Sequence, residues 1–149
     1  MGYTDAPEGW WEDFVAATPP HTGKLAVVRK DGSPQVAPVW VDLDREAEGG
    51  PQIVFMTSAE TVKGRAILRD PRVSICFDDE RPPFSFLTVS GAVTTSTDPD
   101  ELLYWATRIG GRYMGEDNAE LYGRRNAVPP EMVLRLTPQR IIAKVDVAN

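Results

Sequence analysis

Residues 24–41 read KLAVVRKDGSPQVAPVWV, and this pattern predicts two strands joined by a tight turn. Residues 24–29 and 35–43 are rich in apolar and β-branched side chains, which favour strands. The Asp-Gly pair between them is typical of a hairpin turn. Pro38 has no N–H to donate to a ladder, so we expect an edge, a bulge or a functional kink at that residue.

Five more segments carry strand patterns. Val73, Ile75 and Phe77 alternate with more polar residues, as expected for a strand that is buried on one face. Gly91 interrupts a long β-rich segment and indicates a bulge or a close approach of another backbone. The five segments are residues 52–57, 72–78, 84–97, 131–137 and 140–146. Seven strands with tight turns predict a mainly β protein, a split antiparallel β-barrel with short flanking helices.

Three or four short helices complete the predicted architecture. One begins after Asp98, where Pro99 at the first helical position and Glu101 form a capping pattern. Another follows Ser58, whose hydroxyl is expected to cap it. The buried stripe of the helix after Asp98 is predicted to be Leu102, Ala106, Ile109 and Tyr113. The predicted helices cover residues 10–17, 59–68, 99–113 and 118–125.

The composition bounds the class of protein. A chain of 149 residues predicts one domain over residues 1–149, and its net charge of −6 argues against nucleic acid or anionic lipid as a partner. No apolar run approaches the roughly 18 residues of a membrane span. With Cys76 as the single cysteine and His21 as the single histidine, we expect no metal site and a cytoplasmic location.

No hydrolase, metalloprotease, P-loop or dinucleotide motif is present, which points to binding or to chemistry carried by a cofactor. Residues 57–65, TSAETVKGR, run from a strand into a helix. Free N–H groups at a helix start attract an anion, and Lys63 and Arg65 add two cations. The alternative interpretation is a capped surface helix with solvated charges.

Residues 24–41, residues 53–93 (IVFMTSAETVKGRAILRDPRVSICFDDERPPFSFLTVSGAV), the later WATRIGGRYMG and the closing LRLTPQRIIA carry a family resemblance. Together they resemble the pyridoxamine phosphate oxidase-like split β-barrel superfamily. Within it, the chain is most similar to the type B flavin/deazaflavin oxidoreductases that use coenzyme F420. The resemblance spans residues 22–145.

The resemblance implies a homodimer with two cofactor sites at its interface. Lys63 and Arg65 would hold the cofactor phosphate, and basic side chains would meet the acidic glutamyl tail of the coenzyme. The remaining cofactor-binding residues would be Thr57 and Ser58 at the phosphate and Pro38, Val39, Trp40 and Met56 at the deazaflavin ring. The candidates for the tail are Lys30, Arg124 and Arg125.

The implied function is an F420-dependent reductase that transfers a hydride to an unsaturated small organic substrate. No catalytic side chain is assigned, and the proton would come from solvent or from a tyrosine such as Tyr113. FMN-using members of the fold generally hold the phosphate with a more basic set of residues, so the composition of the motif favours the deazaflavin. Two alternatives stay open: an FMN-dependent enzyme, and a carrier that binds flavin or haem without turnover.

Overall fold

The computed structural model describes residues 3–149, which form nine strands, four α-helices and one 3-10 turn at Glu116–Asn118. The strands are β1 (Thr4–Asp5), β2 (Gly23–Val28), β3 (Pro34–Val39), β4 (Val41–Asp44), β5 (Gln52–Ser58), β6 (Arg72–Asp79), β7 (Ser85–Ser96), β8 (Glu131–Leu136) and β9 (Arg140–Val145). The helices are α1 (Trp10–Val15), α2 (Val62–Arg69), α3 (Pro99–Met114) and α4 (Ala119–Asn126).

The order of the strands shows how the sheet closes. They follow the path β3-β2-β6-β7-β8-β5-β4, and every pair is antiparallel. β3 and β4 stand at opposite ends of this path, yet Trp40 alone separates them in the chain. The two ends must therefore meet, and the sheet curls into the predicted split barrel. The single strand predicted at 35–43 is wrong in this respect, because it divides at Trp40 between the two sheet ends.

The proline and glycine signals in the strands are confirmed. Pro38 lies on β3, an edge strand, where its missing N–H breaks no ladder on the open side. At Gly91, β7 changes partner from β9 to β8. A Cβ added to Gly91 would lie 2.5 Å from the carbonyl oxygen of Thr137, so only glycine allows this close approach.

The barrel interior is apolar, and a second cluster lies between the sheet and α3. Phe55 and Phe77 are fully buried in the barrel core. Val54, on the opposite face of β5, packs instead against Trp105 of α3. β5 is thus covered on both faces, which explains its nearly continuous apolar sequence. Truncating either core phenylalanine to alanine typically costs about 3–5 kcal/mol.

The helix boundaries follow the predicted caps in one case and depart from them in another. Asp98 accepts a hydrogen bond from the N–H of Glu101, and α3 begins at Pro99 as predicted. The cap of α2 is Thr61 rather than Ser58, so α2 begins at residue 62 rather than 59. Among residues 3–149, none of the helices combines the length and the apolar character that a membrane crossing requires.

Candidate functional site

A cleft of about 370 Å³ opens where the β3–β4 junction, the end of β5 and the start of α2 come together. Its volume lies within the range of small-ligand pockets. One end is aromatic and apolar, and the other carries hydroxyls and charges. The lining residues are Thr22, Pro38, Val39, Trp40, Met56, Thr57, Ser58, Thr61, Lys63, Ile109, Asn126 and Glu131.

Seven of the eight residues predicted to bind the cofactor line this cleft: Pro38, Val39, Trp40, Met56, Thr57, Ser58 and Lys63. Arg65 does not. It lies in a separate surface depression, which we call the basic depression, formed by Arg29, Lys30, Asp31, Val62, Arg65 and Arg69. Helix geometry explains the separation, because residues two apart on a helix point in different directions. The structure therefore gives no support to a clamp of Lys63 and Arg65 on one anion within a single chain.

Trp40 forms the floor of the aromatic end. Its ring is stacked on Tyr113 with centroids 5.1 Å apart and planes 6° apart. Tyr122 of α4 contacts it at 6.2 Å in a tilted arrangement. Trp40 is half-buried, so part of the indole remains available to the cleft. A flat ligand can pack there on a rigid aromatic surface.

The hydroxyl of Tyr113 holds two backbone segments together. It accepts a hydrogen bond from the N–H of Val41 at 3.1 Å and donates one to the carbonyl oxygen of His21 at 2.7 Å. Burial raises the pKa of this phenol above its usual range. Because the single phenolic proton already has an acceptor, Tyr113 is poorly suited to donate it to a substrate. Its hydroxyl joins the Val41 and His21 backbones, and its ring packs on Trp40.

The polar end of the cleft is built around the start of α2. The hydroxyl of Thr61 accepts from the N–H of Gly64 at 3.0 Å and donates to the carbonyl of Ser58 at 2.9 Å. Within the described chain, the N–H groups of Val62 and Lys63 donate to no protein atom. Such free donors at a helix start favour a bound anion.

Gly64 sets how closely α2 approaches the sheet. A Cβ at this residue would lie 1.9 Å from the carbonyl oxygen of Ser58, so any other residue would push the helix away from the end of β5. Lys63, the residue before it, is half-buried in the cleft, whereas Arg65 is exposed. The glycine thereby brings the lysine and the free N–H groups to the polar end.

Glu131 is a cleft residue that the sequence prediction missed. It is the first residue of β8 and lies opposite Ser58 in the strand register. Burial raises the pKa of its carboxyl, and the positive charge of Lys63 opposes that rise. Among residues 3–149 its carboxyl has no hydrogen-bond or ion-pair partner within bonding distance, and neither does the Lys63 ammonium. Only knowledge of the β5–β8 pairing would have revealed it.

A separate group of charges, the ion-pair cluster, lies between β4, β8 and α3. The Asp42 carboxylate is almost fully buried and meets Arg108 at 3.1 Å and Arg112 at 3.7 Å. Arg135 binds Asp44 and Glu101, each at 2.8 Å. All six charged groups of this cluster are paired, so removing one of them would leave its partner without compensation.

The predicted tail-binding cations lie in different places. Lys30 lies in the basic depression with Arg65. Arg124 pairs with Glu120 at 3.7 Å, and the Arg125 guanidinium lies 5.3 Å from the ring centre of Tyr122. Neither α4 arginine lines the cleft or the basic depression.

Comparison with known proteins agrees with this architecture. A family model described as pyridoxamine 5'-phosphate oxidase matches residues 11–144. The chain is 32% identical over 109 residues to the pyridoxine/pyridoxamine 5'-phosphate oxidase of Brucella anthropi, covering 71% of this chain and 51% of that protein. It therefore spans about half the length of this curated relative.

Two solved structures are similar over most of the chain. An F420 reductase is 26% identical with a TM-score of 0.66, covering 91% of this chain and 98% of that one. The conserved hypothetical protein Rv2991 from Mycobacterium tuberculosis has a TM-score of 0.80 at 21% identity, covering 98% and 89% of the two chains, and shows the shared fold. The family match over residues 11–144 and the curated relative establish that the chain belongs to the pyridoxamine 5'-phosphate oxidase family, and the curled antiparallel sheet agrees with this.

Proposed function

We propose that this chain is a coenzyme F420-dependent reductase, which transfers a hydride from the reduced deazaflavin to an unsaturated small organic substrate. The observation that carries the proposal is the two-ended cleft, with an aromatic floor at one end and a free cation beside unpaired N–H groups at the other. A phosphorylated tricyclic ring has this same division into a flat apolar part and an anion. The similarity to an F420 reductase supports the choice of coenzyme.

The ring would rest on Trp40, with Pro38 and Val39 beside it and Ile109 on the α3 side. Trp40 is held by its stack on Tyr113, so little side-chain freedom is lost on binding. In this proposal the protein orients the ring and excludes water from it. The coenzyme supplies the hydride. The proton would come from solvent, since the Tyr113 hydroxyl is already hydrogen-bonded on both sides.

The phosphate would bind at the start of α2. Within residues 3–149 the Lys63 ammonium has no protein partner, and the N–H groups of Val62 and Lys63 offer two further donors. Thr57 and Ser58 complete the polar surface, although their hydroxyls already join the hydrogen bonds of the turn. Lys63 is thus the principal cation for the phosphate.

The acidic tail would leave the cleft across the first turn of α2 and enter the basic depression. Val62 lines the depression, and its neighbour Lys63 lines the cleft, so the two sites are contiguous along the chain. The depression holds four cations, Arg29, Lys30, Arg65 and Arg69, against the single carboxylate of Asp31. In this proposal Arg65 binds the tail rather than the phosphate.

A second copy of the chain would cover the cleft and complete the site. Val128 is 47% exposed and lies in the loop between the cleft residues Asn126 and Glu131. Leu121 of the adjacent α4 is 56% exposed. A partner that packs on this side of the cleft would bury both side chains. Sedimentation that gives only a 16.5 kDa species with the coenzyme present would contradict this arrangement.

The decisive experiment is a titration of the purified protein with F420, FMN and haem, followed by anaerobic mixing with reduced F420 and a panel of enones and quinones. We expect the tightest binding for F420 and recovery of its oxidised absorbance band with at least one substrate. Tighter binding of FMN would favour the flavin enzyme. Tight binding without turnover would favour a carrier, and preference for haem would contradict the proposal outright.

A further inference from the structure

We propose that Glu131 determines which cofactor this cleft accepts, by admitting a phosphodiester with one negative charge and disfavouring a terminal phosphomonoester that carries nearly two. The inference rests on the proposed function and deepens it. F420 belongs to the first class, because its phosphate links the ribityl chain to the tail. FMN belongs to the second.

The charge balance of the cleft carries the argument. Of its twelve lining residues, Lys63 and Glu131 are the only two with charged side chains. Their charges cancel when the carboxyl is ionised, so the single chain offers the phosphate no net positive charge from side chains. A phosphomonoester has a charge of about −1.5 to −2 near pH 7. Its second charge would therefore meet the Glu131 carboxylate without a second cation to offset it.

The position of Glu131 makes it part of the anion site. In the β5–β8 ladder it lies opposite Ser58. The carbonyl of Ser58 accepts a hydrogen bond from the hydroxyl of Thr61, the residue that caps α2. The facing groups from β5 and α4 are uncharged, namely Met56, Thr57, Ser58 and Asn126, so Lys63 of α2 is the one charged neighbour in the cleft.

The lack of a partner argues against a purely structural role. In the ion-pair cluster, Arg135 approaches two carboxylates to 2.8 Å each. Glu131 and Lys63 share a cleft, but they do not close to an ion pair in the described chain. A half-buried carboxyl without partners lowers stability, so a contribution to the fold does not explain it, and the raised pKa of Glu131 reflects that burial. Exclusion of a doubly charged ligand is a use that requires the group to remain unpaired.

The test measures dissociation constants for F420, FMN and riboflavin with the wild-type protein, Glu131→Gln and Glu60→Gln. Glu60 is exposed, lies three residues before Lys63 and does not line the cleft, so its variant matches the change in net charge. In Glu131→Gln we expect FMN to bind about tenfold more tightly, a gain of about 1.4 kcal/mol, with a smaller change for F420. Riboflavin has no phosphate and should bind equally to all three proteins.

An unchanged ratio of FMN to F420 affinity in Glu131→Gln would overturn the inference, as would an equal change in Glu60→Gln or for riboflavin. Glu131→Asn removes the same charge with a shorter side chain and replaces Glu131→Gln if that variant does not fold. Failure of the proposed function gives a different result, because the wild-type protein would then bind F420 no better than riboflavin. If the wild type binds F420 but the ratio of FMN to F420 affinity is the same in Glu131→Gln, the result supports the proposed function and contradicts the role of Glu131.

Discussion

The ion-pair cluster and the cleft hold the same kinds of charged group, but they differ in whether those groups have partners. In the cluster, Asp42 alone receives two arginines and a backbone N–H. In the cleft, Lys63 and Glu131 have no bonding partner among residues 3–149. Pairing, rather than charge content, therefore distinguishes the charged groups that join elements of this fold from those that are available to a ligand.

The largest change in stability is predicted for a substitution in the ion-pair cluster. Arg112 donates to the carbonyls of Val15, Ala16 and Val41 and lies near the buried Asp42. Arg112→Ala should lower the free energy of unfolding by about 3 kcal/mol, because it leaves buried acceptors without a donor. Urea denaturation measures the loss. The control is Arg124→Ala, which removes an exposed pair and should change stability by less than about 0.5 kcal/mol.

The second prediction tests the unpaired region. Lys63→Ala should weaken F420 binding about ten- to a hundredfold, because a charge-assisted hydrogen bond is lost, and should leave stability nearly unchanged. Arg65→Ala, on the other side of α2, should cause a smaller loss through the tail. Their effects should add, since the two cations meet different parts of the ligand. Equal losses of F420 affinity that do not add in the double variant would instead indicate that Lys63 and Arg65 bind the same anion.

Tyr113 lies between the two regions, because its ring packs on Trp40 of the cleft and its hydroxyl is hydrogen-bonded on both sides. Tyr113→Phe removes the hydroxyl between Val41 and His21 and should lower stability by about 1–2 kcal/mol. The pH profile of hydride transfer should keep its shape. A profile that loses its acidic group in this variant would identify Tyr113 as the proton donor.

The smallest effect concerns the pH dependence of stability. The pKa of Glu131 is raised in the folded chain, so its contribution to stability is greatest below the pKa of an unfolded glutamate and declines as pH rises through the folded value. Glu131→Gln should remove that decline, and the variant should gain stability relative to wild type from pH 4.5 to pH 7. Denaturation curves at the two pH values measure the difference, and a constant or reversed gap would contradict it.

Much of the architecture was predictable because the relevant signals are local. The alternation of Val73, Ile75 and Phe77, the cap at Asp98 and the interruption at Gly91 each correspond to an element in the structure. The break of residues 35–43 at Trp40 was not predictable from periodicity, since apolar residues continue across it. It depends on which sheet ends meet, and that is a property of the whole chain.

The site shows the same division between local and long-range information. Residues 57, 58 and 63 were found because they follow one another along a strand and a helix start. The helix cap was assigned to Ser58, but the N–H of Gly64 donates to the Thr61 hydroxyl, which in turn donates to the Ser58 carbonyl. The residue pattern at the helix start, and the resemblance after it, grouped Lys63 with Arg65 on one phosphate, although spacing on a helix separates the two side chains. Glu131 entered the cleft only through the long-range pairing of β8 with β5.

Trp40 joins the two margins of the curled sheet and also forms the floor of the cleft. The position of the Trp40 indole is therefore fixed by the closure of the sheet. A planar ligand that packs on this indole binds the closed sheet and not an opened one. Binding therefore stabilises the closed sheet, and the gain in free energy rises with the logarithm of the ligand concentration divided by the dissociation constant. A substitution at Trp40 is therefore expected to change both the closure of the sheet and the affinity for a planar ligand.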